Sequence, residues 1–333
     1  MSAQAERDTL LQSETAMAAA RIVAPGQVES VEIARPTPRP NEVRVRLEGC
    51  GVCASNLPPW EGRPWFSYPM APGALGHEGW GRIDAVGDEV TAFTQGERVG
   101  LLSQNAYAQF DVAPAEAVVR LPQKLGDEPF PAEPLGCALN IFRRSEIQSG
   151  QTVAIVGIGF LGALLTQLAT RAGARVIALS RRPFALQVAR SLGAAKTISL
   201  GEKSVPIESV RQLTGGKFCD VVIEATGKEE PLNLAGELTA ERGRLVIAGY
   251  HQDGPREINL QLWNWRGLDV INAHDRDPAI YREGMQLAVD AVTRGLLTPA
   301  GLYTHTFPLS GLASAFRFTA ERPNGFMKAL IAL

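Results

Sequence analysis

The chain has 333 residues, more than one ordinary hydrophobic core accommodates, so two domains are expected. Its 45% hydrophobic and 20% charged residues are those of a folded globular protein, and a net charge of -2 gives no reason to expect nucleic acid or an anionic membrane as partner. No apolar run approaches the roughly 20 residues a membrane-spanning helix needs, and four cysteines make no disulfide framework, so a cytoplasmic protein is expected.

Residues 1–20 are polar and acidic at the start, unlike a secretory or mitochondrial leader, and read as a tail or short helix ahead of the first strand. Residues 21–120 are rich in Gly, Pro and Val, with alternating runs such as Val43-Arg44-Val45-Arg46-Leu47, the pattern of half-buried strands in an antiparallel β domain. Near Pro134 the texture changes. From Gln151 the short apolar runs TVAIVG, RVIALS, DVVIEATG and RLVIAG alternate with helical stretches, the mark of βαβ units around a parallel sheet. A β-like texture returns over residues 302–309 and 325–333, which are expected to pair back into the first domain. The expected division is a tail (1–20), a discontinuous β domain (21–138 and 296–333) and a doubly wound α/β domain (139–295).

Gly157-Ile158-Gly159-Phe160-Leu161-Gly162 follows a buried strand directly and opens a helix, the context in which a GxGxxG run holds a dinucleotide. Gly157 permits the tight turn, Gly159 lets the backbone approach a pyrophosphate, and Gly162 lets helix and strand pack closely. The helix N-terminus offers free amides and a positive dipole end to the phosphates. The next strand ends in Ser180, where an NAD enzyme would carry an acidic residue for the ribose, and Arg181 and Arg182 follow. A hydroxyl and two guanidiniums suit a 2'-phosphate, so NADP is the expected cofactor, with NAD the alternative; as solvated surface charges the arginines would say nothing. Thr226, Gly249 and His251 follow later strands at the sheet's carboxyl end, where ligands sit in such folds.

Cys53 and the pair His77-Glu78 are set among turn glycines, and thiolate, imidazole and carboxylate are ligand types zinc takes. The same residues have a plainer reading, since a lone Cys is often a small buried hydrophobe and a lone His a hydrogen-bonded structural residue. Cys50 completes a C-x-x-C with Cys53 but lacks a second pair and precedes what reads as a turn, so it is expected to pack in the core. His274 and His305 read as structural. Trp60, Trp65, Phe66 and Tyr68 could line a substrate pocket or cap the β domain's core.

Five segments in order, GCGVCASNL, GALGHEGWGRIDAVGDEVTAFTQGERV, AYAQFDVAPAEAVVRLP, AEPLGCALNIFRR and GIGFLG, resemble the medium-chain dehydrogenase/reductase superfamily, in its zinc alcohol and polyol dehydrogenase branch. The resemblance runs from about Ala20 to the end. It implies a GroES-like β domain holding zinc and substrate beside a Rossmann domain, with the active site in the cleft between them. By position it makes Cys53 and His77 zinc ligands and Glu133 the third, with Cys137 one helical turn beyond, and Glu78 a carboxylate that exchanges onto the metal or supports it. Ser55 would hydrogen-bond the substrate oxygen and pass its proton on, making Cys53, Ser55, His77 and Glu78 the catalytic set. The family's structural-zinc lobe is missing, so one zinc per chain is implied. Two departures stand out: Asn56 replaces the Asp that orients the histidine ligand, and Pro58 stands where some relatives place a relay histidine. A small-molecule alcohol or carbonyl substrate and a homodimer or homotetramer are implied.

Overall fold

The structure, a computed structural model, describes residues 15–201 and 204–333. The chain divides into two compact units, Met1–Glu133 with Tyr303–Leu333, and Pro134–Leu302.

In the first unit, β1 (Ala16–Ala24) and β2 (Gln27–Ala34) form an antiparallel hairpin around Gly26, whose φ of +71° suits a residue without Cβ. β1 takes in Ala16 to Ala20, expected as part of the tail; residues 1–14 of that tail lie outside the described residues. β3 (Glu42–Gly51) buries Val43, Val45 and Leu47 on one face, as its alternation predicts. A 3-10 turn (Ala54–Asn56) and the short helix α1 (Leu57–Glu61) follow, where a plain turn was expected; Pro58 at its start supplies a pre-set φ.

Four more strands, β4 (Gly79–Val86), β5 (Arg98–Leu101), β6 (Phe110–Pro114) and β7 (Val118–Arg120), complete the N-terminal part of this sheet. In the second unit, α2 (Ala132–Ser145) leads into β8 (Thr152–Val156), α3 (Phe160–Arg171), β9 (Arg175–Ser180), α4 (Pro183–Ser191) and β10 (Lys196–Ser199). There follow α5 (Ser204–Leu213), β11 (Cys219–Glu224), α6 (Glu229–Leu238), β12 (Thr239–Ile247), α7 (Leu260–Arg266), β13 (Asp269–Asn272) and α8 (Pro278–Thr293). The chain then returns to the first unit through β14 (Tyr303–Pro308), α9 (Leu312–Glu321) and β15 (Lys328–Ala332).

The large sheet of the first unit runs β14-β15-β3-β4-β5-β7, with β6 also on β3. β15 pairs antiparallel with β3 through Leu330 opposite Gly51 and Ile331 opposite Cys50. Cys50 is fully buried in the core and burial pushes its thiol well up, so it packs there as expected. Trp60 is buried too, its ring 5.1 Å from Phe316, whereas Trp65 is 57% exposed.

The second unit's six strands are parallel, in the order β10-β9-β8-β11-β12-β13. Val153 to Val156 of β8 are wholly buried, which is why this central strand reads as an unbroken apolar run. Strand order reverses between β8 and β11, and in open sheets of this kind the crevice at the carboxyl ends of such a pair receives ligands. The division falls at Glu133/Pro134 and Leu302/Tyr303, against the expected 138/139 and 295/296. Both first boundaries fall inside the continuous helix α2, and β texture resumes only at β14. Among the described residues no helix is long and apolar enough to cross a membrane.

Candidate active site

Cys53 caps the 3-10 turn that leaves β3, and His77-Glu78 immediately precede β4, so two neighbouring strands deliver the three side chains. Their ligand atoms all lie within 4.8 Å of one another. His77 Nδ1 is 2.9 Å from the Leu75 carbonyl, which can only accept, so the proton sits on Nδ1 and Nε2 is left to a metal. Burial opposes a charge on His77, but the hydrogen bond the ring gives to Cys53 and the charges of Cys53, Glu133 and Glu78 outweigh it and raise its pKa to about 10. Thiolate, imidazole and carboxylate in this grouping fit a zinc ion, and the surrounding negative charge is what a cation would neutralise.

Glu78 is completely buried, and its carboxylate occupies the space beside Gly51, where a Cβ would lie 1.8 Å from Oε2. It is paired with Lys328 of β15, whose Nζ stands 2.7 Å from Oε1 and 2.5 Å from Oε2. Burial acts to lower the pKa of Lys328, yet the charge of Glu78, then those of Cys53 and Glu133, hold the ammonium above its usual value.

On the nucleotide side, Gly157 has φ of +102°, and a Cβ there would meet Thr226 Cγ2 at 2.4 Å. A Cβ on Gly162 would strike the Gly157 carbonyl at 2.1 Å, while Gly159 faces open space. The three glycines therefore separate into a turn, a clear approach and a tight helix contact, and α3 begins at Phe160 with its first-turn amides lacking helical partners. Ser180 ends β9, with its hydroxyl accepting from the Arg182 amide at 3.2 Å, and Arg181 is exposed beside it.

Residues 39–123 match the family model of the alcohol dehydrogenase GroES-like domain, and residues 161–290 that of the zinc-binding dehydrogenase. Quinone oxidoreductase of Pseudomonas aeruginosa is 31% identical over 236 residues, covering 69% of this chain and 71% of its own. The chain belongs to the medium-chain dehydrogenase/reductase superfamily. Within its zinc-dependent branch, sorbitol dehydrogenase of Halalkalibacterium halodurans is 26% identical over 314 residues, 84% of this chain and 89% of its own. An alcohol dehydrogenase of Escherichia coli CFT073, solved with NADH, shares the fold with a TM-score of 0.84 at 23% identity, covering 96% of this chain and all of its own. The chain is thus an alcohol-dehydrogenase-like oxidoreductase, with the GroES-like and Rossmann architecture of that superfamily.

Of the residues the superfamily pattern singled out, Cys53, His77 and Glu78 form the tight group. Glu133, in the first turn of α2, stands outside that group but close enough for its charge to act on His77 and Lys328. Ser55 lies in the 3-10 turn two residues after Cys53. Asn56 does not bond to His77. Its Nδ2 donates to the Leu75 carbonyl at 3.1 Å, the same oxygen His77 uses, and its Oδ1 accepts from the Tyr107 hydroxyl at 2.8 Å. An ionised Asp could not donate to that carbonyl, so the amide suits this arrangement. Tyr107 and Lys328 went unnoticed in the sequence; a lysine inside the apolar run of the last strand was the one available signal. His274 stacks on Tyr250 and His305 packs among Phe307, Phe318 and Phe326, as structural histidines.

Replacing Lys328 by Met would leave the Glu78 carboxylate buried and unpaired. Urea unfolding of the metal-free variant should show a loss of about 3–5 kcal/mol, most of it recovered on adding Glu78→Gln; wild-type stability for Lys328→Met would show the pair to be inert. Because His77 titrates near 10 in the metal-free protein, it carries a proton at neutral pH that zinc must expel. Calorimetry in buffers of differing ionisation heat should register proton release on zinc binding, with apparent affinity rising as pH rises toward 10. A buffer-independent heat would contradict this.

Proposed function

We propose that the protein is a zinc-dependent oxidoreductase that transfers a hydride between NADP(H) and an alcohol or carbonyl substrate. The observation that carries this reading is the grouping of Cys53, His77 and Glu78 within 4.8 Å, with His77 Nδ1 engaged by Leu75 so that Nε2 is the nitrogen a metal would take. Cys53 and His77 would hold the metal with Glu78 or Glu133 as the carboxylate ligand, and one zinc would bind per chain. Zinc supplies Lewis acidity toward a substrate oxygen, and the dinucleotide supplies or accepts the hydride.

The chain's own residues have separate tasks. Lys328 fixes Glu78 in its recess beside Gly51, and Leu75 with Asn56 fixes the His77 ring. The Ser55 hydroxyl accepts or gives up the substrate proton and passes it toward solvent. The turn from Gly157 to Gly162 receives the pyrophosphate. Ser180, Arg181 and Arg182 receive the 2'-phosphate, and NADP preference favours reduction as the working direction.

The 31% identical quinone oxidoreductase supports a second reading, an NADPH-dependent reductase that needs no zinc. Chelation separates the two. On the first reading, dialysis against a strong chelator abolishes NADPH-dependent carbonyl reduction, zinc restores it, and Cys53→Ala cannot be restored. Undiminished turnover after chelation would favour the second. For the cofactor, the double variant Arg181→Ala/Arg182→Ala should weaken NADPH binding about 100-fold and leave NADH binding nearly unchanged, since two charge-assisted phosphate contacts vanish. Equal losses for both dinucleotides would contradict the 2'-phosphate assignment.

A further inference from the structure

Glu224 ends β11 and is completely buried, and the proposed chemistry gives it no part. Burying a carboxylate is costly unless its oxygens are satisfied, and here four donors converge on it. Oε1 accepts from the Thr226 amide at 2.6 Å, the Gly227 amide at 3.0 Å and the Thr226 hydroxyl. Oε2 faces His251 Nε2 at 3.0 Å. On the far side of the ring, Arg256 Nε stands 3.2 Å from His251 Nδ1. A guanidinium only donates, so Nδ1 is bare and Nε2 carries the proton. The chain of hydrogen bonds has one direction, from Arg256 through His251 to Glu224.

This chain joins two loops. Residues 225–228 follow β11, and residues 248–256 follow β12. The remaining Arg256 nitrogens reach the Asp253 and Gly227 carbonyls at 3.3 and 3.4 Å, and the Ala248 and Gly249 amides bond the Glu224 carbonyl at 2.8 Å. The loops are pressed together so closely that a Cβ on Gly249 would lie 2.1 Å from the Gly227 amide, and one on Gly227 2.4 Å from the Tyr250 carbonyl. The first loop also abuts the glycine turn through Thr226 Cγ2, beside the reversal in strand order.

We propose that Glu224, His251 and Arg256 are positioning residues for the dinucleotide, clamping the loops after β11 and β12 against the glycine turn that receives it. The inference rests on the dinucleotide reading of Gly157 to Gly162. It gives Thr226 and Gly249 a different part from direct contact. The Thr226 hydroxyl is spent on Glu224 and on the Lys228 amide, which donates to it at 3.1 Å. What these residues contribute is the place of their backbone.

The direction of the hydrogen bonds makes the proposal testable. In Glu224→Gln, an amide can satisfy the loop amides only by turning its NH2 toward His251. The ring must then protonate at Nδ1 and face the Arg256 N–H. Titration calorimetry should show Glu224→Gln, His251→Ala and Arg256→Met each raising the dissociation constants of NADPH and NADH by about tenfold and by equal factors. The double variant Glu224→Gln/Arg256→Met should bind no more weakly than Glu224→Gln alone, because without the guanidinium the ring can adopt the other tautomer. Nitrogen-15 spectra of the wild-type protein should place the His251 proton on Nε2, a readout that needs no folded variant. Wild-type affinity in the single variants, strictly additive losses in the double variant, or a proton on Nδ1 would each overturn the proposal. Wild-type protein that binds neither dinucleotide would instead remove the cofactor reading beneath it.

Discussion

A carboxylate without solvent must be hydrogen-bonded or paired with a cation, and in the first unit this requirement joins residue 78 to the last strand. Glu78 precedes β4 and Lys328 opens β15, 250 residues apart, yet ammonium and carboxylate lie in direct contact. β15 is held to β3 by its ladder, so the same strand that supplies the lysine also walls the recess in which Gly51 leaves room for Glu78. With Glu78 placed, Cys53 and His77 bring their ligand atoms within 4.8 Å of its carboxylate and of each other. The acidic groups around them draw His77 and Lys328 both upward against the effect of their burial. A divalent cation that displaced the His77 proton would take over its place beside those groups.

The second unit solves a different problem. Its central strands are buried on both faces, and in folds of this kind polar chemistry sits at the rim of their carboxyl ends. There the backbone does most of the work. Glycines at 157, 162, 227 and 249 allow main chains to approach more closely than side chains would permit, and Glu224 satisfies the amides this exposes.

What could be read from the sequence follows from distance along the chain. The Gly157 to Gly162 turn is local, flanked by its own strand and helix, and each glycine has the surroundings its position suggested. The parallel sheet was legible because buried strands leave apolar runs, and the β domain because β3 alternates. Cys53 and His77 were visible through the turn glycines beside them. Lys328 was not, since its partner lies 250 residues away, and no local pattern announces a buried ion pair. Asn56 was noticed as a departure, but its partner is a main-chain carbonyl at Leu75, with φ of +73°, and carbonyls have no sequence signature. The relative standing of Glu78 and Glu133 was likewise beyond spacing arguments, because it depends on Lys328 and on where α2 begins.

On the proposed function, Cys53, His77 and a neighbouring carboxylate hold one metal ion. Cobalt(II) tests it most directly, since it takes zinc sites and reports a thiolate ligand by charge-transfer absorption. Titration of the metal-free protein should reach one equivalent per chain with that absorption developed, and Cys53→Ser should bind more weakly and lack it. Saturation without a thiolate band, or no stoichiometric uptake by the wild-type protein, would contradict the account.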